Sequence, residues 1–146
     1  MSEARGIRAG QYQDAAICAK ILNDWIDGLN WVPRIHTRDD VVCHYRDFVF
    51  AKRQVWVTGE PVIGYLALDQ NVGEITALYV ATPGQGIGKA LVDFVKERQG
   101  ELKLWTFIAN TPARRFYRRE GFHEVRRTDG DNEECLPDVN LRWVRP

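Results

Sequence analysis

Apolar residues recur along this chain with two spacings, and each change of spacing marks a change of element. Ile7 and Ala9 alternate with polar neighbours, which predicts a short first strand. Ile17, Ile21, Leu22, Trp25, Ile26 and Leu29 then fall at helical spacing, with Gly28 near the end of that helix. The stretch from Asn30 to Thr37 holds Pro33 and reads as a loop. Thr37 is placed to cap a second helix over Arg38 to Arg46, with Asp39 and Asp40 in its first turn. Val55 and Val57, the turn Gly59-Glu60, and Val62 to Leu68 predict a hairpin, and Glu74 to Val80 a further strand. Ile87, Ala90, Leu91, Phe94 and Val95 return to helical spacing, with Gly100 as the stop. Leu102, Leu104, Thr106 and Ile108 predict a strand. Thr111-Pro112 predicts a helix start, with Thr111 as N-cap and Pro112 in the first helical position. That helix runs to Glu120 and is closed by Gly121, and Phe122 to Arg127 and Val139 to Val144 are the last strands. The expected order is β-α-α-β-β-β-α-β-α-β-β, an α/β fold whose first strands are antiparallel.

Composition narrows the class without naming a function. The 146 residues fit one domain, taken here as residues 1–146. Lys plus Arg number 20 and Asp plus Glu number 20, so no overall field draws in nucleic acid or an anionic membrane. The 3 cysteines, Cys18, Cys43 and Cys135, are far apart and form no CxxC pair. That argues against a disulfide framework and a cysteine zinc site. His36, His44 and His123 show no metal spacing, so no metal is expected. The first ten residues, MSEARGIRAG, carry no apolar run and read as no signal peptide. No apolar stretch is long enough to span a membrane. A cytoplasmic protein is expected.

The strongest chemical signal lies between the strand ending at Val80 and the helix beginning near Ile87. Gly84, Gly86 and Gly88 alternate there. Residues without side chains let backbone amides approach a ligand closely. The first amides of a helix have no internal partner, and the helix dipole favours an anion beside them. Residues Pro83 to Lys89 therefore suit a phosphate or pyrophosphate, the other reading being a glycine-rich turn with no ligand. Two common nucleotide motifs fail on spacing. A P-loop needs Gly where Pro83 stands and Ser or Thr where Ala90 stands. A dinucleotide fingerprint needs Gly where Lys89 stands.

Here the chain resembles the GNAT superfamily of acetyl-CoA-dependent N-acetyltransferases. The family loop, Q/R-x-x-G-x-G/A, reads Pro83-Gly84-Gln85-Gly86-Ile87-Gly88 in this sequence. A second block, NTPARRFYRREGF, supplies Asn110, Ala113, Phe116, Tyr117, Gly121 and Phe122. The spacing between the blocks and the strand ending Leu78-Tyr79-Val80 also fit. One departure is Pro83 in the Gln/Arg position, because proline has no amide to donate. Gln85 and the amides from Gly84 to Lys89 are the remaining donors.

The resemblance implies a mixed, mostly antiparallel central sheet flanked by helices, and acetyl transfer from acetyl-CoA to a primary amine by direct attack in a ternary complex. A non-catalytic acetyl-CoA-binding module is the alternative. It implies that pantetheine pairs with Leu78, Tyr79 and Val80, and that Gly84, Gln85, Gly86, Ile87, Gly88 and Lys89 hold the pyrophosphate. Asn110, Ala113, Phe116 and Tyr117 complete that side. Tyr117 matches the family position that protonates the departing thiolate. Its competing role is a core aromatic. The amine proton falls to Glu74 through a water, or to bulk water, because Thr76 occupies the usual acidic position. Trp31, Arg34 and His36 on the loop after the first helix, with Thr76, Glu133 and Glu134, are candidates for contact with the acceptor. The competing reading is that Trp31 packs and the others are solvated. Arg114, Arg115, Arg118 and Arg119 read as a solvated basic face. Partners expected are acetyl-CoA, an amine acceptor and, through edge strands, a homodimer.

Overall fold

The computed structural model describes residues 6–146, so the part of the N-terminal reading that rests on residues 1–5 lies outside the described residues. A short strand β1 (Arg8–Ala9) leads through a single 3-10 turn into α1 (Ala15–Asp27). A second helix, α2 (Arg38–His44), continues through a π turn at Tyr45–Val49 into α3 (Phe50–Lys52). Then come β2 (Gln54–Thr58), β3 (Gly64–Asp69), β4 (Glu74–Val80), α4 (Ile87–Lys96), β5 (Glu101–Phe107), α5 (Thr111–Arg119), β6 (His123–Thr128) and β7 (Asp138–Val144). The strands form one sheet in the order β1-β2-β3-β4-β5-β7-β6. Every pairing is antiparallel except β4 with β5. The expected order and mostly antiparallel sheet are present.

Alternation along β3 divides the interior into two layers. Leu66 and Leu68 point to the layer under α4 and α5, with Leu91, Val95, Leu102, Leu104 and Trp143. Tyr65 and Ala67 point to the layer under α1 and α2, with Cys18, Ala19, Val41, Tyr45 and Val49. In the second layer the Tyr45 and Tyr65 hydroxyls share a hydrogen bond of 2.5 Å. Burial holds both phenols protonated. Burial also pushes the Cys18 thiol up to about 12, so that cysteine is inert core.

Several boundaries differ from the sequence reading, and three of the differences have a local cause. The second helix passes Arg46 and reaches Lys52, because no Gly or Pro stops it and Val41, Tyr45 and Val49 keep one buried face. The helix over Ile87 ends at Lys96, and Gly100 instead accepts a hydrogen bond from Arg145 at the end of the β5–β7 ladder. The N-cap of α5 is Asn110, not Thr111. Its Oδ1 accepts from the Ala113 amide at 3.2 Å, and asparagine caps better than threonine. The other end of α5 closes as expected at Gly121. Phe122 N–H donates to the Tyr117 carbonyl at 3.0 Å and Gly121 N–H to that of Arg118 at 3.1 Å, a Schellman pair.

Candidate active site

β4 and β5 meet at one register pair, Glu74 with Lys103. Beyond that pair the parallel strands splay. The edge of β4 turned toward β5 is left open from Ile75 to Val80, while its other edge pairs fully with β3. The wedge between them is lined by Leu78, Tyr79, Leu104, Thr106, Asn110, Ala113 and Tyr117.

The loop at the mouth of the wedge has the geometry its glycines predict. Gly84 and Gly86 take φ of +86° and +74°, values an L side chain resists. Gly86 is the N-cap of α4, and the first helical bond runs from the Ala90 amide to its carbonyl. The amides of Ile87, Gly88 and Lys89 therefore precede the helix's own hydrogen bonding. A Cβ on Gly84 would meet nothing within 4 Å, so the loop stands open to a ligand. Gly88 faces Phe116, whose ring would lie 3.5 Å from an added Cβ, and this seats α4 against α5. The Lys89 ammonium turns away to Asp93 and Glu120, each at 3.2 Å, leaving its amide as its contribution. An open strand edge beside a row of unpaired amides fits a pantetheine arm joined to a pyrophosphate.

Tyr117 stands on α5 at the inner wall of the wedge, 7% exposed. Its ring packs on Phe116 and Phe122. Its hydroxyl has no hydrogen-bond partner among the described residues. Burial, and then Tyr79, push its phenol well above the usual value, so it stays protonated at neutral pH. Asn110 lines the same wedge, but its Oδ1 is engaged by the cap, leaving its amide group.

A second, larger cavity of about 640 Å³ adjoins the wedge, between α1, the loop after it, α2 and the β6–β7 loop. Its walls include Trp25, Tyr45, Tyr79, Trp105 and Phe107, and its rim Asp40, His36, Glu133 and Glu134. His36 Nε2 lies 3.0 Å from Glu133, joining the two loops. Burial, and then the charge of Glu134, push the Tyr79 phenol up to about 12. The β6–β7 loop is fixed from below. Thr128 Oγ1 accepts from the amides of Gly130 and Asp131 and donates to the Asp138 carboxylate. Asn132 Nδ2 donates to Asp138 at 3.1 Å and to the Leu136 carbonyl at 2.7 Å.

The expected acceptor residues separate. His36, Glu133 and Glu134 reach the rim. Trp31 packs between Trp25 and Phe107, at ring separations of 6.2 and 5.9 Å. Arg34 is occupied by Asp27, by Asn23 Oδ1 at 3.1 Å and by the His36 carbonyl at 2.9 Å, so it shapes the loop and lines none of the cavities. Thr76 is the extra residue of a bulge, since Ala67 pairs with Ala77 and Leu68 with Ile75. It borders the wedge and donates to the Ala67 carbonyl at 3.3 Å. Glu74 sits at the closed end of the wedge opposite Lys103 and lines none of the cavities. The sequence reading missed Trp25, Tyr45, Trp105 and Phe107. Trp105 and Phe107 carried a signal, because they alternate with Leu102, Leu104 and Thr106 and must face the other side.

This chain belongs to the GNAT family. Residues 48–124 match the family described as Acetyltransferase (GNAT) domain. The chain is 32% identical to the peptidyl-lysine N-acetyltransferase YiaC of Escherichia coli, over 84% of this chain and 88% of that protein. In fold it is similar to apo YjaB of Escherichia coli, with TM-score 0.70, 23% identity, and 97% and 98% of the two chains covered. It is also similar to yncA of Salmonella typhimurium with its cofactor acetyl-CoA, with TM-score 0.69, 18% identity, and 96% and 93% covered. The chain is an acetyl-CoA-dependent N-acetyltransferase. Among the described residues no helix is long and apolar enough to cross a membrane, and no group of three or more His, Cys, Asp or Glu is placed to hold a metal.

Proposed function

We propose that this enzyme acetylates the side-chain amine of lysine in a polypeptide, by direct attack in a ternary complex. The observation that carries the reading is the aromatic, acid-rimmed cavity that opens into the wedge at Tyr79 and Trp105. Aromatic walls suit the apolar stem of lysine, and Glu133, Glu134 and Asp40 suit its cation. Similarity to a peptidyl-lysine N-acetyltransferase supports the same acceptor.

Acetyl-CoA supplies the thioester. The amides from Gly84 to Lys89, with Gln85, hold its pyrophosphate, and the open edge at Leu78, Tyr79 and Val80 pairs with the pantetheine arm. Asn110, Ala113 and Phe116 close the far side. A neutral amine then forms a nitrogen–carbon bond as the carbon–sulfur bond breaks. Tyr117 donates its phenolic proton to the departing sulfur. We assign removal of the amine proton, through water, to Glu134 at the cavity wall rather than to Glu74. Glu74 sits at the closed end of the wedge and lines neither the wedge nor the acceptor cavity.

The test is an acetyl-CoA reaction with lysine peptides of blocked N-terminus. One acetyl group on the lysine side chain for each free CoA released is the expected result. Acetylation of free polyamines with untouched peptides would sink the lysine reading.

A further inference from the structure

The geometry points to a selectivity slot between Tyr79 and Trp105, held at its width by Arg126, that admits unbranched alkyl amines and rejects amines on a branched carbon. Tyr79 and Trp105 are the two rings shared by the acceptor cavity, the wedge and the small cavity that joins them. They stand on β4 and β5, the pair of strands that splays apart. The two rings are not in ring contact among the described residues, and both line the small cavity, which is the passage of the slot. An amine moving from the acceptor cavity through the small cavity toward Tyr117 passes these two rings. A straight methylene stem passes between two ring faces, whereas a substituent beside the nitrogen meets one of them.

Arg126 is a positioning residue, because it acts on Trp105 and not on the substrate. Trp105 pairs in register with Asn140 of β7, and Asn140 pairs with Arg126 of β6. The three lie on one row across the sheet, and the Arg126 guanidinium sits 4.8 Å from the centre of the Trp105 ring. The row depends on a bulge. β6 pairs Glu124 with Leu141 and Arg126 with Asn140, skipping Val125. Without that extra residue Val125 would oppose Asn140, and no cation would reach the indole. Bulges re-aim side chains in this way beside functional sites. The neighbouring cations Arg114 and Arg127 both pair with Glu124, whereas Arg126 makes no ion pair among the described residues and has the indole as its contact. Trp105 is 37% exposed, so core packing does not fix its rotamer, and the stacked cation does.

The proposal rests on the cavity being the acceptor site and refines the lysine reading, since lysine carries its amine on an unbranched carbon and a protein N-terminus does not. The experiment separates the two. Pentylamine and 2-aminopentane, alike in size and charge, are compared as acceptors by CoA release, with a blocked-terminus lysine peptide run in parallel. The wild type is expected to favour pentylamine in kcat/KM by about ten-fold or more, as one misplaced carbon in an apolar passage commonly costs. Trp105→Ala brings the ratio near unity while the KM for acetyl-CoA stays within about two-fold. Arg126→Gln lowers the ratio about three-fold through the KM for the amine, and Arg126→Lys restores it, because lysine also stacks on indole. Trp105→Phe, which keeps a ring, falls between wild type and the alanine variant. A wild-type ratio near unity, an unchanged ratio in Trp105→Ala, or Arg126→Lys behaving like Arg126→Gln each overturns the slot. If the amine ratio holds and the peptide is not acetylated, the slot stands and the lysine reading fails.

Discussion

The proposed donor side and the proposed acceptor side of this site are made of different material. The donor side is backbone: seven consecutive residues from Pro83 to Lys89, and the unpaired edge of β4. The acceptor side is side chains drawn from α1, the loop after it, α2, β4, β5 and the β6–β7 loop, with rings inside and carboxylates at the rim. A pyrophosphate on a thioester arm is one fixed ligand, and backbone geometry recognises it whatever the side chains are. An acceptor is recognised by shape and charge, and these change with a few substitutions. The two halves meet at Tyr79 and Trp105, beside Tyr117, so changes away from these rings in one half should leave the constants of the other unmoved.

The largest effect is expected where the halves meet. Tyr117→Phe should lower kcat by about a hundred-fold, the usual scale of a lost general acid, with both KM values little changed. A near-normal kcat would return Tyr117 to a packing role. Next, Gly86→Val forces a branched residue to φ of +74° and should weaken acetyl-CoA binding by about ten-fold or more, leaving the acceptor KM alone. Equal loss on both substrates in isothermal titration and steady-state assays would break the division. On the acceptor side, Glu134→Gln should lower kcat/KM for a lysine peptide about five-fold, through kcat as well as KM, while Glu74→Gln changes little. The reverse ranking would restore Glu74 as the base.

The smallest effect concerns pH. Asp14 precedes α1, and a hydrogen bond from Arg8, at 2.8 Å, holds its carboxyl below the usual carboxylate range. The folded pKa is depressed, so this contribution to stability is present above the unfolded value of about 3.9 and is lost as pH falls through the folded value. Asp14→Asn should flatten the acid limb of the stability profile below about pH 4, measured by urea unfolding. Because Arg8 is substantially exposed, the change should be small.

The same contrast explains what the sequence made legible. Gly84, Gly86 and Gly88 are local, and their φ requirement and amides are written in consecutive letters. The strand and helix order follows from periodicity for the same reason. The acceptor cavity depends on register between distant elements. Trp25 lies on the apolar stripe of α1 and reads as core, and nothing local says that its ring centre lies 5.2 Å from that of Tyr79. Arg34 and Trp31 were expected at the acceptor because of their types. Asn23 and Asp27, one helix turn apart on α1, take the guanidinium instead. The bulge at Thr76 and the π turn at Tyr45–Val49 leave no composition signal, since each answers to packing in three dimensions.

The splay of β4 from β5 has a thermodynamic consequence. β4 and β5 share one register pair, so the amides of β4 that face the gap have no strand partner there. A ligand that bridges the gap binds the folded chain and not the unfolded one, so it acts as a staple. At a hundred-fold excess over its dissociation constant it adds about 2.7 kcal/mol to stability. The melting temperature should therefore rise with acetyl-CoA concentration, and slowed hydrogen exchange should be concentrated on the inner edge of β4.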